Sequence, residues 1–327
     1  MRTRPFGASG IEASVIGLGT WAIGGWMWGG ADDGASISAI QASIDEGVTL
    51  IDTAPAYGFG RAEEIVGQAI AGRRQQVVLA SKCGLVWDTR QGGHFFDAEG
   101  HVVHRYLGRE SIQRELEASL RRLRTDVIDI YITHWQDPTT PVAETMGALE
   151  DLRAAGKIRA IAASNVGAAE VRDYLRHGQL DGIQERYNAL DRELEEELLP
   201  ICLEAGVSIM SYSSLALGIL SGRIPPERVF QGDDQRATGP RYSPESRVRL
   251  GAILQRLDPL CAELGVTTAQ LVIAWTLARP GITYALCGAR TPAHAVENAR
   301  AGSLELTSDA IAVIDEVLAD ARQAALA

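Results

Sequence analysis

Residues 48–72 of the chain read VTLIDTAPAYGFGRAEEIVGQAIAG, and this stretch contains one complete β/α unit. Its first five residues form a short, mostly apolar run, which is typical of a parallel strand buried on both faces. Pro55 and Gly58 predict a loop after this strand. Residues 61–72 then follow the pattern of a helix with charged and apolar faces. The stretch therefore predicts a strand, a loop and a helix in that order.

The same unit recurs along the chain. Short β-branched or apolar runs, separated by segments of helical pattern, occupy residues 15–19, 48–52, 77–82, 127–134, 158–164, 182–187, 207–212 and 282–288. Eight strands that alternate with helices favour an α/β fold, a (β/α)8 TIM barrel, over a doubly wound open sheet. In the open sheet a helix would begin directly after the glycines of 17-GLGTWAIGGW-26, and none is predicted there. We expect residues 1–14 to form an N-terminal β-hairpin plug and residues 1–327 to form a single barrel domain.

Helices are predicted between these strands, and two connections are unusually long. The predicted helices span residues 61–72, 109–124, 142–157, 193–206, 245–265 and 268–278. Pro200 indicates a kink or an early start in the segment 193–206. The connections 84–107 and 213–243 are rich in Gly, polar and aromatic residues, and both follow strand ends. Connections of this length are usually binding loops or lids, so we expect them to border the C-terminal face of the barrel.

Composition and charge exclude several classes of function. The chain has 327 residues and a formal net charge of −11 without a basic stripe, which disfavours nucleic acid and anionic membranes as partners. The first residues lack the apolar core of a signal peptide, and no segment approaches the ~18 continuous apolar residues that cross a bilayer. The cysteines lie far apart, which fits a reducing compartment: they are Cys83, Cys202, Cys261 and Cys287. We therefore expect a cytoplasmic protein.

Four polar residues follow early strands and would meet at the C-terminal face of a barrel. Asp52, Lys82 and His134 end the second, third and fourth strand runs, and Tyr57 lies in the loop after Asp52. A nearby lysine ammonium is expected to lower the pKa of Tyr57, which is ~10 in water, and Asp52 would hold the lysine in place. Tyr57 could then act as a general acid toward a carbonyl oxygen that His134 orients.

The later strand ends carry groups that suit a hydride donor. Ser164, Asn165 and Gln184 offer hydroxyl and amide groups for a nicotinamide carboxamide, and the ring of Tyr212 could stack on its face. After the eighth strand, the segment 288-GARTPAHAVENAR-300 begins a short helix, where barrels commonly bind phosphate.

These motifs together resemble those of the aldo-keto reductases over essentially the whole chain. The matching stretches, in order, are 17-GLGTW-21, 49-TLIDTAPAYGFGRAEEIVGQAI-70, 79-LASKCG-84, 129-DIYITHWQDP-138, 151-DLRAAGKIRAIAASN-165, 182-GIQERYN-188, 211-SYSSLALGILSG-222 and 286-LCGARTPAHAVENAR-300. The resemblance implies a (β/α)8 barrel that binds NADPH. It also implies Asp52, Tyr57, Lys82 and His134 as the catalytic residues, with Tyr57 as the proton donor.

The resemblance further implies a cofactor site. Its expected residues are Gly19, Thr20, Trp21, Asp52, Ser164, Asn165, Gln184, Tyr212, Ser213, Leu215, Gly218, Leu220, Gly288, Arg290, His294, Glu297 and Asn298. Many relatives have a lysine and a serine near the start of the last motif, where this chain has Gly288 and Ala289, and an arginine where it has His294. Arg290 remains to meet a 2′-phosphate. NADPH is therefore the expected cofactor, with NADH as the alternative.

The expected substrate is a small-molecule carbonyl compound. Trp21, Trp28, Trp87 and Trp135 follow strand ends and are interpreted, with Tyr57 and His134, as walls of the substrate pocket. Stacking on tryptophan suggests a polar, sugar-type carbonyl compound, with a bulky apolar ketone as the alternative. No metal site is expected, because His101 and His104 of the first long connection lack strong partner ligands. Trp275 is interpreted as a core residue.

Other functions and assemblies stay open at this point. A subunit that binds NADP(H) and regulates or senses redox state, with little turnover, is the main alternative to an enzyme, although such a binder has no need of a tuned tyrosine. A metal-dependent hydrolase is disfavoured because no HxH follows an early strand. Homo-oligomerisation is compatible with the sequence, and the reduction would be reversible in principle.

Overall fold

The computed structural model describes residues 1–326 and contains a closed parallel barrel surrounded by helices. The strands are β1 (Thr3–Phe6), β2 (Ile11–Ser14), β3 (Ile16–Gly19), β4 (Leu50–Asp52), β5 (Val78–Cys83), β6 (Leu85–Val86), β7 (Gly93–Ala98), β8 (His101–Arg105), β9 (Ile128–Thr133), β10 (Ile158–Ser164), β11 (Gly182–Arg186), β12 (Ser208–Tyr212) and β13 (Ile282–Gly288). The helices are α1 (Trp21–Gly24), α2 (Asp33–Asp45), α3 (Arg61–Ala69), α4 (Arg109–Leu123), α5 (Val142–Ala154), α6 (Ala168–His177), α7 (Leu198–Ala205), α8 (Pro244–Leu254), α9 (Asp258–Leu264), α10 (Thr268–Ala278), α11 (Pro292–Ala301) and α12 (Ser308–Leu326).

Within residues 1–326, the barrel contains the eight strands that the sequence predicts. Around the barrel the order is β3, β4, β5, β9, β10, β11, β12 and β13, and β13 pairs again with β3. All eight neighbouring pairs in this part of the chain are parallel. The prediction of a (β/α)8 barrel is thereby confirmed. Because the strands are parallel, their C-terminal ends meet at one face of the barrel.

The opposite end of the barrel is filled by the β1–β2 hairpin. Phe6 and Ile11 are buried in one apolar cluster with side chains from the barrel interior, such as Leu50 and Ile130. Gly182 leaves room for the ring of Phe6, because a Cβ there would lie 2.3 Å from Phe6 Cζ. The expected N-terminal hairpin plug is therefore present.

The connection 84–107 is not an irregular loop, although its composition predicts one. Its residues form a three-stranded antiparallel sheet in the order β6, β8, β7. Strands β7 and β8 are joined by a two-residue hairpin turn at Glu99 and Gly100. Both residues have positive φ, which matches the turn to the right-handed twist of the two strands. The aromatic and β-branched residues on either side of this turn were the signal for a hairpin. The connection 213–243 is long and irregular, with short 3-10 turns, as expected.

Two of the predicted helical segments contain a 3-10 turn and are not continuous helices. In the segment 193–206, a 3-10 turn over Glu193–Glu195 precedes α7, and Pro200 lies in the first turn of α7, where its missing N–H breaks no helical hydrogen bond. In the segment 245–265, a 3-10 turn over Gln255–Leu257 separates α8 from α9, and Pro259 lies at the start of α9. In both places proline favours the beginning of a helix over its continuation.

Among the described residues, no single helix has the length and apolar character needed to cross a membrane. Two consecutive helical segments, Pro244–Leu264 and Thr268–Ala278, together have sufficient length and apolar character, but their axes are bent by 89° relative to each other.

A glutamate on α4 holds the end of strand β5. Glu115 Oε2 accepts a hydrogen bond from the backbone N–H of Gly84 at 2.8 Å, and Oε1 accepts one from the Ser111 hydroxyl. Burial raises the pKa of Glu115 from 4.5 to about 8, although these two hydrogen bonds oppose the rise. The folded protein therefore binds the proton of this carboxyl group more tightly than the unfolded chain does.

This raised pKa predicts a specific dependence of stability on pH. Stability contributed by protonated Glu115 is fully present below the unfolded pKa of 4.5 and is lost as the pH rises through about 8. Between about pH 5 and about pH 9, the wild type should lose at least about 1 kcal/mol of unfolding free energy relative to Glu115→Gln. Urea denaturation at both pH values measures this difference. Glu117→Gln, on the same helix, is the control, and equal pH dependence in wild type and Glu115→Gln would contradict the prediction.

Candidate active site

The structure brings the four predicted polar side chains together at the C-terminal face of the barrel. Lys82 Nζ lies 2.7 Å from Asp52 Oδ1 and also donates to the Thr53 carbonyl oxygen at 2.9 Å. The side chains of Lys82 and Asp52 are 0% and 4% exposed. The ring centroids of Tyr57 and His134 are 5.7 Å apart, and Lys82 Nζ lies 4.9 Å from the Tyr57 ring centroid.

Tyr57 reaches this position because its loop packs tightly against helix α1. Gly58 has φ +65°, and a Cβ at this residue would lie 2.4 Å from the Gly24 carbonyl oxygen. A Cβ on Gly24 would in turn lie 2.6 Å from the backbone of Tyr57. The two glycines therefore allow the backbones to touch, and the Tyr57 ring stacks beside Trp21.

The pKa of Tyr57 moves in the direction opposite to the one expected from the sequence. Burial, followed by the charge of Asp52, raises the pKa of Tyr57 well above its ordinary value. Burial also lowers the pKa of Lys82, although Asp52 opposes that change. Desolvation and the Asp52 carboxylate favour the neutral phenol, and they outweigh the charge of Lys82, on which the expected lowering depended. Burial and then the charge of Lys82 lower the pKa of His134 well below its usual range, so its imidazole is neutral.

The polar groups of the later strand ends are hydrogen-bonded to one another and to the first group. Gln184 Nε2 donates to Asp52 Oδ1 at 2.8 Å, which joins strands on opposite sides of the barrel. The Tyr212 hydroxyl donates to Asn165 Oδ1, and Asn165 Nδ2 donates to the His134 carbonyl oxygen, both at 2.8 Å. The Ser164 hydroxyl accepts from Asn165 Nδ2 at 3.1 Å and donates to the Gln184 carbonyl oxygen at 2.8 Å, so the two sets of hydrogen bonds form one network at the barrel mouth.

A cavity of about 1090 Å³ opens above this network. Most of the residues assigned to the site from the sequence line it: Gly19, Trp21, Trp28, Asp52, Tyr57, His134, Trp135, Ser164, Asn165, Gln184, Tyr212, Ser213, Leu215, Gly218, Gly288, Arg290, His294, Glu297 and Asn298. The cavity extends from the Tyr57 region at one end to helix α11 at the other. A volume of this size is large for a small-molecule site and can hold an extended ligand.

Four of the predicted residues do not line the cavity. Lys82 lies behind Asp52, and Leu220 is buried in the main apolar core. Thr20 is buried, and within residues 1–326 its Oγ1 has no hydrogen-bond partner. Trp87, predicted to be a wall of the substrate pocket, packs edge-on against Phe59 at 5.2 Å, in the apolar cluster that also contains Phe95 and Trp135 of the cavity wall. It therefore lies beside the cavity, and its role as a substrate contact stays a prediction.

Several further residues that the motifs do not indicate also line the cavity. Phe96 from β7 stacks on Trp26 with centroids 5.3 Å apart, and Phe95 contacts Trp135 at 5.0 Å. The hairpin turn at residues 99–100 was the available signal for the position of the two phenylalanines. Arg228 and Arg236 also line the cavity. They belong to the irregular connection 213–243, whose path the sequence pattern does not predict.

Arg290 occupies a different setting from the one expected. Its Nη1 donates to the carbonyl oxygens of Trp28 and Gly30 at 3.2 and 3.1 Å, and so fastens the segment 25–31 across the cavity. Asp233 holds the same segment from the other side, because its carboxylate accepts the backbone N–H of Gly29 at 2.9 Å. Arg290 therefore joins the segment 25–31 to the end of the barrel, and it still lines the cavity.

The two histidines of the first long connection have aromatic neighbours. The His101 ring lies 4.4 Å from the Phe59 ring, and the His104 ring lies 5.8 Å from that of His94. In the part of the chain that the structure describes, no group of three or more His, Cys, Asp or Glu side chains is arranged to hold a metal ion. Trp275 is fully buried, as expected for a core residue.

The sequence is similar to a family profile and to bacterial reductases over most of its length. The profile of the aldo/keto reductase family matches residues 15–319. Aldo-keto reductase YhdN of Bacillus subtilis is 45% identical over 288 residues, which are 87% of this chain and 83% of that protein. The NADH-specific methylglyoxal reductase of Escherichia coli is 42% identical and is aligned over 98% of this chain and 99% of its own.

Solved structures agree with the sequence comparison. The glycerol dehydrogenase AKR11B4 from Gluconobacter oxydans superposes with a TM-score of 0.86 at 34% identity, covering 97% of this chain and 95% of that one. An aldo/keto reductase from Klebsiella pneumoniae, solved in complex with NADP and acetate, superposes with a TM-score of 0.72 at 31% identity and the same coverage. From the profile match, the relatives and the shared barrel, the chain belongs to the aldo/keto reductase family.

Proposed function

We propose that this protein reduces an aldehyde or ketone to the alcohol, with NADPH as the hydride donor. The observation that carries the proposal is the pairing of Tyr57 and His134 at the floor of the cavity, above the buried Lys82–Asp52 ion pair. A phenol beside an imidazole, with a fixed ammonium close to the phenol ring, is suited to protonating a carbonyl oxygen.

Each group has one role in the proposed reaction. The neutral imidazole of His134 donates a hydrogen bond to the carbonyl oxygen and orients it. Tyr57 holds its proton firmly because its pKa is raised, and it delivers that proton to the oxygen when negative charge develops there. The ammonium of Lys82 then stabilises the phenolate, and Asp52 keeps Lys82 in position through the 2.7 Å ion pair.

The cavity residues fit a nicotinamide cofactor. NADPH, when bound, supplies the hydride. Asn165 and Gln184 present amide groups beside Asp52, and Tyr212 offers a ring for stacking. Gly19, Ser213 and Gly218 also line the cavity, as do Glu297 and Asn298 of α11. The long, partly polar cavity thus suits an extended dinucleotide better than a small substrate alone.

The preference for NADPH over NADH rests on arginines. Arg228, Arg236 and Arg290 line the cavity, and Asp234 forms an ion pair with Arg236 at 2.6 Å. Guanidinium groups are suited to binding phosphate, so we propose that this arginine cluster favours the 2′-phosphate of NADPH. NADH remains the alternative, because the Escherichia coli relative is NADH-specific.

For the substrate we propose a small, polar carbonyl compound of the sugar type. The relatives named for methylglyoxal and glycerol support a small polar compound. The rings of Trp21, Trp28 and Trp135 offer flat faces on which such a compound can stack. Phe95, Phe96 and Trp26 add an apolar wall, which favours the alternative, a bulky apolar or aromatic carbonyl compound.

A substrate panel tests the activity itself. Saturating NADPH with methylglyoxal, glyceraldehyde and benzaldehyde in parallel should give turnover, with the highest kcat/KM for the two polar compounds. A preference for benzaldehyde would replace the sugar-type proposal with the apolar one. Tight NADPH binding without turnover on a broad carbonyl panel would contradict the proposed activity and favour a regulatory or redox-sensing subunit.

Replacing Tyr57 by phenylalanine removes the proposed proton donor and keeps the ring that packs on Trp21. We expect kcat for the best substrate to fall at least about 100-fold, the usual contribution of a general acid. The Kd for NADPH, from fluorescence titration, should change less than about threefold, because the cofactor contacts stay in place. Reduction at a near wild-type rate by Tyr57→Phe would show that another group donates the proton.

Replacing Arg290 tests the choice of cofactor. Arg290→Leu removes a charge at the proposed phosphate site and also its hydrogen bonds to the segment 25–31. The loss of those hydrogen bonds affects NADPH and NADH alike, so the ratio of the two Kd values isolates the phosphate contact. We expect the preference for NADPH to fall about tenfold, the value of one charge-assisted hydrogen bond. An unchanged ratio would remove Arg290 from the phosphate site.

A further inference from the structure

Glu185 is a buried carboxylate just behind the proposed nicotinamide contacts. It follows Gln184 on β11, whose side chain points into the barrel toward Asp52, so the alternation of a strand directs Glu185 to the outside. There its Oε1 accepts the backbone N–H of Val166 at 2.8 Å. The backbone N–H of Asn165 donates to the Gln184 carbonyl oxygen at 3.4 Å instead, so Val166 is the residue that Glu185 holds directly. Glu185 does not line the cavity, and it is only 9% exposed.

The backbone that Glu185 holds has an uncommon conformation. Asn165 has φ +55°, in the left-handed region, which asparagine adopts more readily than other non-glycine residues. Right-handed and extended conformations are also open to asparagine, so neighbouring hydrogen bonds select the one observed here. The hydrogen bond from Val166 to Glu185 fixes the peptide that follows Asn165, and the hydroxyl of Ser164 fixes the preceding residue by donating to the Gln184 carbonyl oxygen at 2.8 Å.

This conformation determines where the Asn165 amide points. Its Oδ1 accepts the Tyr212 hydroxyl, and its Nδ2 donates to the His134 carbonyl oxygen. If the backbone at residue 165 relaxed to a right-handed or extended conformation, the amide would leave both partners. The ring of Tyr212 would then lose its only side-chain hydrogen bond in the described part of the chain. The contacts proposed for the nicotinamide thus depend on an acceptor outside the cavity.

Glu185 has no cationic partner in the described part of the chain. Within residues 1–326 no Lys, Arg or His forms an ion pair with this carboxylate, and burial raises its pKa to about 8. A buried carboxylate without a cationic partner does not stabilise the fold through its charge. The contribution of Glu185 is therefore the hydrogen bond that it accepts from Val166.

We propose that Glu185 is a positioning residue for the nicotinamide half of the cofactor. It sets Asn165, and through Asn165 it sets Tyr212. The proposal rests on the proposed binding of NADPH and adds a residue that touches neither cofactor nor substrate.

A matched control lies at the other end of the same two strands. Asp181 precedes β11 and is fully buried, and its Oδ2 accepts the backbone N–H of Ile161 at 3.0 Å. It therefore makes the same kind of hydrogen bond between neighbouring strand segments, but at the hairpin-plug end of the barrel. Asp181→Leu should lower thermal stability without changing the site.

The test compares Glu185→Leu, Glu185→Gln, Glu185→Asp and Asp181→Leu with the wild type. Two ligands are titrated: NADPH, and adenosine 2′,5′-bisphosphate, which carries the adenosine end without a nicotinamide. Thermal unfolding of each variant is measured in parallel.

We expect Glu185→Leu to raise the Kd for NADPH five- to fifty-fold and to leave the Kd for the bisphosphate within twofold. Glu185→Gln retains an acceptor oxygen at the same distance and should stay within about threefold of the wild type for NADPH. Glu185→Asp, whose acceptor falls short of Val166 by one methylene, should lie between them. If Glu185→Leu does not fold, the comparison of Glu185→Asp with Glu185→Gln tests the proposal in its place. Asp181→Leu should leave both Kd values unchanged.

Several results would overturn the proposal. They are an unchanged Kd for NADPH in Glu185→Leu, an equal weakening of both ligands, or a weakening in Asp181→Leu that matches the one in Glu185→Leu. Failure of the wild type to bind NADPH would instead overturn the proposed function on which the inference rests.

Discussion

The ion pair between Lys82 and Asp52 is the interaction around which the mouth of the barrel is arranged. Both side chains are buried, and Nζ and Oδ1 are 2.7 Å apart. Taking two charges out of water is costly, so the pair persists only because further polar groups complete its hydrogen bonds. The Thr53 carbonyl oxygen accepts from Lys82, and Gln184 donates to Asp52 from the opposite side of the barrel. The pair therefore links β4, β5 and β11.

The electrostatics of Tyr57 and His134 follow from this pair and from burial. A buried ammonium beside His134 disfavours the imidazolium, and a buried carboxylate near Tyr57 disfavours the phenolate. Both rings are therefore held neutral where they face the cavity. Neutral donors side by side are suited to a neutral carbonyl oxygen, which becomes a strong acceptor only as charge develops on it.

The walls above the ion pair come from segments that are not part of the barrel. The β6–β8–β7 sheet contributes Phe95 and Phe96, and the segment 25–31 contributes Trp26 and Trp28. Arg290 and Asp233 fasten that segment across the cavity. The barrel thus provides the proposed chemistry, while the added segments shape the space in which a substrate would lie.

The sequence by itself determined the barrel and the groups at its mouth. Runs of apolar residues identify eight strands, and in a parallel barrel their C-terminal ends must meet, so Asp52, Lys82 and His134 could be placed on one face without a structure. The direction of the Tyr57 pKa shift, the packing of Trp87 against Phe59 and the contacts of Arg290 depend on the tertiary structure. Desolvation depends on everything that packs around a group, and the path of a long connection depends on contacts between residues far apart in the chain. Neither is expressed in a local pattern of residues. For the same reason, Glu185 could be recognised as the acceptor behind Asn165 only once the strands were folded together.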